Sequence, residues 1–344
     1  MTAPPDLGPV LARIVGGERL DREAARAAFG DALSGDAPDV QVGALLTVLA
    51  ARGETPDEIA GAAEAMRERM IPADLPDSAD APLIDVCGTG GSGLHTLNVS
   101  TATAIVLASL GVPVAKHGSR AASSRSGSSD VLGALGVGLS RPDDAARVLS
   151  EAGLVFLFAP YHHPGVGRLA GVRSALGFRT AFNVLGPLCN PARVERQLLG
   201  VAAPALLDMM AGSLALSGAA HAWVVRGQDG LDELTVCGAS DVRVVRGGAV
   251  EALTVTPEDA GLNRHPEGAL RGGTPDENAG AMRRLLSGEP GAYRDAVALN
   301  AAAGLIVAGR THGLAEGARL AEAALDDGRA SGALDRLVAA TTQP

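Results

Sequence analysis

The stretch DVCGTGGSGLHTLNVSTATA (residues 85–104) sets four glycines and several hydroxyls between a short apolar run and a helical pattern. Lacking Cβ atoms, such a loop brings backbone N–H groups close to a phosphate, and the helix that follows adds the positive end of its dipole. Its spacing is neither the dinucleotide fingerprint nor a Walker A loop, because no GK[ST] follows. A tight turn also needs glycine, so this loop alone leaves both readings open. A second stretch, KHGSRAASSRSGS (116–128), offers Lys116, His117, Ser119, Arg120, Ser123, Ser124, Ser126 and Ser128 as donors for oxygen anions, with a solvated polar loop as the alternative. Lys116 is the only lysine among 344 residues. A compact ammonium with three rotatable donors suits a narrow anion loop better than a planar guanidinium does; chance in an arginine-rich chain is the alternative. Third, Asp232 and Glu233 in DGLDELTV (229–236) are adjacent carboxylates at a predicted strand end. That pair suits a hard cation such as Mg²⁺, though acids in a surface turn look the same.

A fourth stretch, APYHHPGVGRLAGVRSALGFRTAFNVLGPLCNPA (159–192), carries His163-Pro164 as a helix start and Arg173 in an otherwise apolar helix. On one continuous helix the two would lie about 80° apart in azimuth. Arg173 is suited to meet a carboxylate.

The surrounding pattern supplies the elements that must hold these groups. Residues 1–70 read as wholly helical, with apolar-periodic stretches at 22–33 and 39–51 and a helix capped by Thr55, with Pro56 next and Glu58 three residues on. A linker, IPADLPDSADAP (71–82), follows. Strands near 83–87, 112–118, 154–160, 197–202 and 221–227 then alternate with helices at 98–110, 140–153 (capped by Ser140) and 204–217. That alternation predicts βαβ crossovers and a parallel, buried sheet. A hairpin at 242–255 turns at Gly247-Gly248, and helices at 276–287, 293–309 and 314–327 complete the chain. The fold class expected is α/β: a small all-helical N-terminal domain (1–75, joined by helices from about 163–190) and a larger α/β domain (76–344) with a mainly parallel central sheet.

Composition narrows the partners. Net charge is −10, which argues against a broad nucleic-acid or membrane-surface footprint while permitting a small positive pocket for an anionic metabolite. Aromatics are 2% of residues against 47% hydrophobic, so the core must be aliphatic. Cys87, Cys189 and Cys237 show no metal-type spacing and are expected to be reduced thiols. No signal peptide or membrane span is read, and a cytoplasmic location is expected.

Taken together, GTGG (88–91), T-x-N-V-S-T (96–101), KHGSRAASS (116–124), SGS-x-D (126–130), HP (163–164), FN-x-LGPL-x-NPA (182–192) and DGLDE (229–233) resemble the anthranilate phosphoribosyltransferase family. The motifs fall in one order over some 150 residues. The resemblance implies the nucleoside phosphorylase class of fold, a homodimer formed through the helical domain, and transfer of the phosphoribosyl group of phosphoribosyl pyrophosphate to the amine of anthranilate. It implies phosphoribosyl pyrophosphate at Gly88, Gly91, Ser92, Thr96, Asn98, Val99, Ser100, Thr101, Lys116, Ser123, Ser124 and Ser128. Anthranilate is implied at Gly88, His117, Ser119 and Arg173, and Mg²⁺ at Ser100, Asp232 and Glu233; no residue is implied as a general acid or base. Three positions depart from the usual pattern: Ser92 stands where an acid is common, Ser119 where an amide is common, and Val166 where Met or Tyr is common. A transferase for another aromatic amine, a pyrimidine nucleoside phosphorylase and a non-catalytic nucleic-acid-binding paralogue are the rival readings.

Overall fold

Helix-start chemistry marks the N-terminal bundle, which comprises α1 (Gly8–Val15), α2 (Arg22–Ser34), α3 (Asp39–Arg52) and α4 (Pro56–Glu68). The Asp21 side chain accepts from the Ala24 N–H at 2.8 Å, and Gly35, at φ 84°, ends α2. At the start of α4, Thr55 accepts from the Glu58 N–H while Glu58 accepts from the Thr55 N–H, as the sequence predicts. The same Glu58 is fully buried and also accepts from the Leu20 N–H and Arg52, so a local cap doubles as a brace between helices.

The computed structural model describes residues 5–76, 82–120 and 126–342. After the linker come β1 (Ile84–Gly88), α5 (Val99–Ser109), β2 (Val114–Gly118), α6 (Ser128–Ala134), α7 (Ala145–Ala152) and β3 (Leu154–Phe158). Short helices α8 (Ala159–His162), α9 (Pro164–Arg168), α10 (Ala170–Leu176) and α11 (Phe182–Leu185) precede β4 (Arg196–Gly200), α12 (Ala205–Leu216) and β5 (His221–Gly227). The hairpin β6 (Ser240–Arg246) and β7 (Ala249–Val255), then α13 (Pro275–Leu286), α14 (Ala292–Val307), α15 (Leu314–Asp326) and α16 (Arg329–Thr342), finish the chain.

The seven strands run in the order β3-β2-β1-β4-β5-β6-β7, parallel from β3 to β5 and antiparallel through the hairpin. Gly247 and Gly248 both have positive φ, the geometry the predicted turn requires. One apolar core lies where α5, α7 and α13–α16 cover the sheet. The other joins the N-terminal helices, the 169–189 segment, α12 and sheet residues Leu199, Ala222 and Val224. The helical bundle therefore shares its core with one face of the sheet, and Phe182 packs edge-on against Phe29 at 5.8 Å.

Three local expectations change. Ser140 is buried and does not cap a helix: a 3-10 turn at Pro142–Asp144 comes first and α7 starts at Ala145. Proline holds the residue before it extended, which keeps a helix from starting at 140. The segment from His163 to Arg173 is broken between α9 and α10, so the continuous-helix azimuth does not apply. The expected helices end with 314–327, whereas a further helix, α16, follows over Arg329–Thr342.

Candidate active site

Parallel strands that part company leave a crevice at their C-terminal ends, and β1 lies between β2 and β4. The loop after β1 is tied down on both sides. Thr89 N–H donates to the Gly200 carbonyl at 2.9 Å, and Leu97 N–H donates to the Leu270 carbonyl at 2.9 Å. Asn98 accepts from Asn278 Nδ2 at 2.9 Å and donates from Nδ2 to the Ser126 carbonyl at 3.4 Å, while Tyr293 donates to its carbonyl at 3.1 Å. Asn98 thus ties α13 to the end of the serine loop. Val99 and Thr101 are buried at the start of α5, so Val99 can offer a ligand only its backbone, and the Thr101 hydroxyl has no partner among the described residues.

Lys116 lies within β2 rather than in the loop after it, and is only 3% exposed. Its ammonium donates to the Val86 carbonyl and, at 3.4 Å, to Ser100 Oγ. It acts electrostatically on two buried carboxylates, Asp85 and Glu233. Glu233 is buried, not near the surface as an acidic turn would be, and among the described residues its Oε2 has no hydrogen-bond partner. Burial, then the Asp232 charge beside it, push its carboxyl up to about 8, opposed by Lys116 and by hydrogen bonds from Ser100. Burial also raises Asp232, offset by the Ser92 hydroxyl. The pair comes this close to β1 because Gly200, paired with Gly88, has no side chain: a Cβ there would fall on the Asp232 carbonyl.

A buried carboxylate oxygen without a partner, beside a second carboxylate and a hydroxyl, fits a hard cation completed by water and phosphate oxygens. Among the described residues no cluster of three or more His, Cys, Asp or Glu is placed to hold a metal.

Beyond Lys116, the His117 ring lies 5.1 Å from that of His163. His117 Nδ1 faces the Gly186 carbonyl at 3.0 Å, which can only accept, so Nδ1 carries the proton and the buried Nε2 is an unpartnered acceptor. Burial, then His163, push His117 down to about 3; burial, then His162, push His163 to about 4. Both folded values lie below the unfolded 6.5, so between these limits the unfolded chain binds protons the folded chain does not. This stability is complete above about pH 6.5 and is lost as pH falls toward 4. The midpoint of thermal unfolding is therefore expected to drop between pH 6.5 and 4, and less steeply in His163→Gln. An equally steep drop in that variant would remove His163 from the cause.

Arg173 is half-buried over the Phe182 ring at 5.7 Å, and burial lowers its pKa. Among the described residues no carboxylate pairs with it. Ser119 is exposed, and its carbonyl accepts from Ser129 N–H and Ser128 Oγ, both at 3.4 Å. Ser123 and Ser124 lie outside the described residues. Sequence reasoning misses Arg179, whose Nη1 donates to the Gly90 carbonyl at 3.3 Å and covers Gly91. It also misses Asp85, Asn278 and Tyr293. Of these only Asp85, an acid inside an apolar strand, leaves a signal in the sequence.

Two glycosyl transferase family descriptions match the chain: the helical bundle domain over residues 8–70 and the a/b domain over residues 80–331. The sequence is 51% identical to an anthranilate phosphoribosyltransferase of Parvibaculum lavamentivorans, over 98% of each chain. It is 50% identical to one of Phenylobacterium zucineum, over 97% of this chain and 98% of that one. The structure is similar to the crystal structure of anthranilate phosphoribosyltransferase (TrpD) from Thermus thermophilus, with a TM-score of 0.90 at 45% identity, covering 97% of this chain and 99% of that one. It is also similar to the Saccharomyces cerevisiae enzyme in complex with PRPP and Mg, with a TM-score of 0.88 at 28% identity over 98% of each chain.

Proposed function

The chain belongs to the glycosyl transferase family, in its anthranilate phosphoribosyltransferase branch, and we propose from that premise how its own residues divide the work. The enzyme transfers the phosphoribosyl group of phosphoribosyl pyrophosphate to the amine of anthranilate, releasing pyrophosphate, in tryptophan biosynthesis. The donor site comprises the loop Gly88–Ser92, Thr96, the start of α5 from Asn98 to Thr101, Lys116, and the serine loop to Ser128. One observation carries this assignment: the chain's single lysine is buried beside Ser100 and Glu233 where β1, β2 and β4 end. Ser100, Asp232 and Glu233 would hold Mg²⁺, which when bound supplies charge neutralisation to the departing pyrophosphate.

Arg173 is positioned to take the anthranilate carboxylate, having no carboxylate partner among the described residues. The free lone pair of His117 Nε2 suits an amine N–H, and Gly88 and Ser119 complete the acceptor set that the family implies. Departure of pyrophosphate builds positive charge at the ribose carbon, and the amine attacks from the opposite face. Anthranilate's amine is already neutral at pH 7, so no strong general base is needed. Catalysis rests on positioning and on electrostatic stabilisation by residues already in place. The test is loss of anthranilate fluorescence on mixing with phosphoribosyl pyrophosphate and Mg²⁺. No loss at any Mg²⁺ concentration would refute the reading.

The reading includes a homodimer through the helical domain and a cytoplasmic location. Among the described residues no helix is long and apolar enough to cross a membrane. The family's hinge between the two domains would involve the segment that starts at Ile71, where Ile71 N–H donates to the His162 carbonyl and Ala73 N–H to that of Pro191.

Ser119 bears on acceptor binding. A serine hydroxyl is shorter than the amide common at this position, so one hydrogen bond to anthranilate is weakened by about 1 kcal/mol, or about fivefold in affinity. Ser119→Asn is expected to lower the KM for anthranilate several-fold and leave that for phosphoribosyl pyrophosphate within about twofold. The loop should tolerate the change, because it is the Ser119 backbone that α6 holds. An unchanged or raised anthranilate KM would show that the loop has adapted to serine.

A further inference from the structure

β1 and β2 pair in register only at Ile84 and Val114, whereas β1 and β4 stay paired from Ile84 to Gly88. The sheet forks along the length of β2 that carries Lys116. Beyond the fork, the β2 groups that face β1 are met by side chains. His117 N–H donates to Asp85 Oδ1 at 3.1 Å, and the Ala115 carbonyl accepts from Asn190 Nδ2 at 2.7 Å. Asn190 Nδ2 also donates to Asp85 Oδ2 at 2.9 Å, which closes the wedge. On the β1 side, the Val86 carbonyl takes the Lys116 ammonium. Both wedge residues are buried, Asp85 completely and Asn190 at 4% exposure. Asn190 is also fixed from the hinge: its Oδ1 accepts from the Ala192 N–H, and its neighbour Pro191 accepts from Ala73 of the linker.

An uninterrupted ladder would satisfy these backbone groups with no buried carboxylate and no buried amide. Placing both in the sheet interior has a desolvation cost, offset only if every polar atom is partnered, as these are. We propose that Asp85 and Asn190 are positioning residues for the reaction: they hold the β1–β2 fork open so that the Lys116 ammonium crosses to β1 beside Ser100. Asn190 further registers this fork against the hinge segment that leads back from the acceptor side. The inference rests on the assignment of Lys116 to the donor.

A double-mutant cycle on donor binding tests it. Affinity for phosphoribosyl pyrophosphate with Mg²⁺ is measured by titration calorimetry for wild type, Asn190→Ser, Lys116→Met and the double variant. If Asn190 acts through Lys116, Asn190→Ser weakens binding about tenfold alone and hardly at all once Lys116 is Met. Additive losses would overturn the inference, because a general loss of structure does not depend on the Lys116 side chain. Gln197→Met is the control: Gln197 Nε2 donates to Pro187 at 2.7 Å and reaches the same Asp85 oxygen at 3.5 Å, but bonds nothing on β2. It should lower the unfolding temperature without weakening donor binding more than about twofold; equal weakening in both variants would also overturn the inference. If Asn190→Ser does not fold, Asp85→Asn, which keeps the volume, replaces it in the cycle: non-additive losses support the inference and additive ones overturn it. Unchanged binding in Lys116→Met alone would instead refute the donor-site reading.

Discussion

Replacing Asp232 by Asn and Glu233 by Gln together is expected to abolish phosphoribosyl transfer, by about a thousandfold or more, without unfolding the protein. Glu233 is buried, its Oε2 has no partner among the described residues, and burial and the Asp232 charge raise its pKa, so an acid at this position destabilises the metal-free fold at neutral pH. The amide variant keeps both shapes and removes that cost. Its unfolding temperature should match or exceed that of wild type. The loss is in the ligands of a hard cation, and a cation that neutralises a leaving pyrophosphate accounts for several kcal/mol of barrier. Wild type should gain thermal stability when Mg²⁺ and phosphoribosyl pyrophosphate are added together, and the variant should gain almost none. Full turnover by the double variant at limiting Mg²⁺ would move the metal site elsewhere.

Lys116→Arg keeps the charge and is nevertheless expected to lower kcat/KM for phosphoribosyl pyrophosphate about a hundredfold. The ammonium sits on the Val86 carbonyl with Ser100 Oγ beside it, in a site 3% exposed. A guanidinium is longer and planar, and overpacking a closed site costs about 1–3 kcal/mol while it pushes β1 from β2. Lys116→Met should lose as much for the opposite reason: it fits the space and carries no charge toward the donor. The two substitutions separate size from charge, and steady-state kinetics with varied phosphoribosyl pyrophosphate reads both. A near-wild-type Lys116→Arg enzyme would reduce the lone lysine to an accident of an arginine-rich sequence.

The linear sequence shows which residues could be a ligand, and folding decides how each is used. Asp232 and Glu233 stand out as an acidic pair, yet nothing local shows that Glu233 is buried, because burial depends on Gly200 bringing β4 against their backbone. Asn98 is visible as a donor-loop residue, but its side chain is taken up by Asn278 and the Ser126 carbonyl. Thr101 is a hydroxyl in a motif and a buried side chain in the fold. The order of the motifs does carry the family, because each ligand segment is a short continuous run: the glycine loop joins β1 to α5, and DGLDE joins β5 to β6.

Local information is sufficient wherever the cause is local. The Thr55–Glu58 box, the Gly247-Gly248 turn and the alternation of strands and helices each depend on neighbours a few residues apart, so composition and spacing determine them. Features set by long-range packing depend instead on distant partners. The wedge at Lys116 joins positions 85, 115 and 190, and the grip on Asn98 comes from residue 278. The merging of the helical bundle with one sheet face joins helix residues such as Ile59 and Met66 to Leu199, Ala222 and Val224 in one core. A buried polar group must find a partner wherever the fold places one, and along the chain that partner carries no periodic mark.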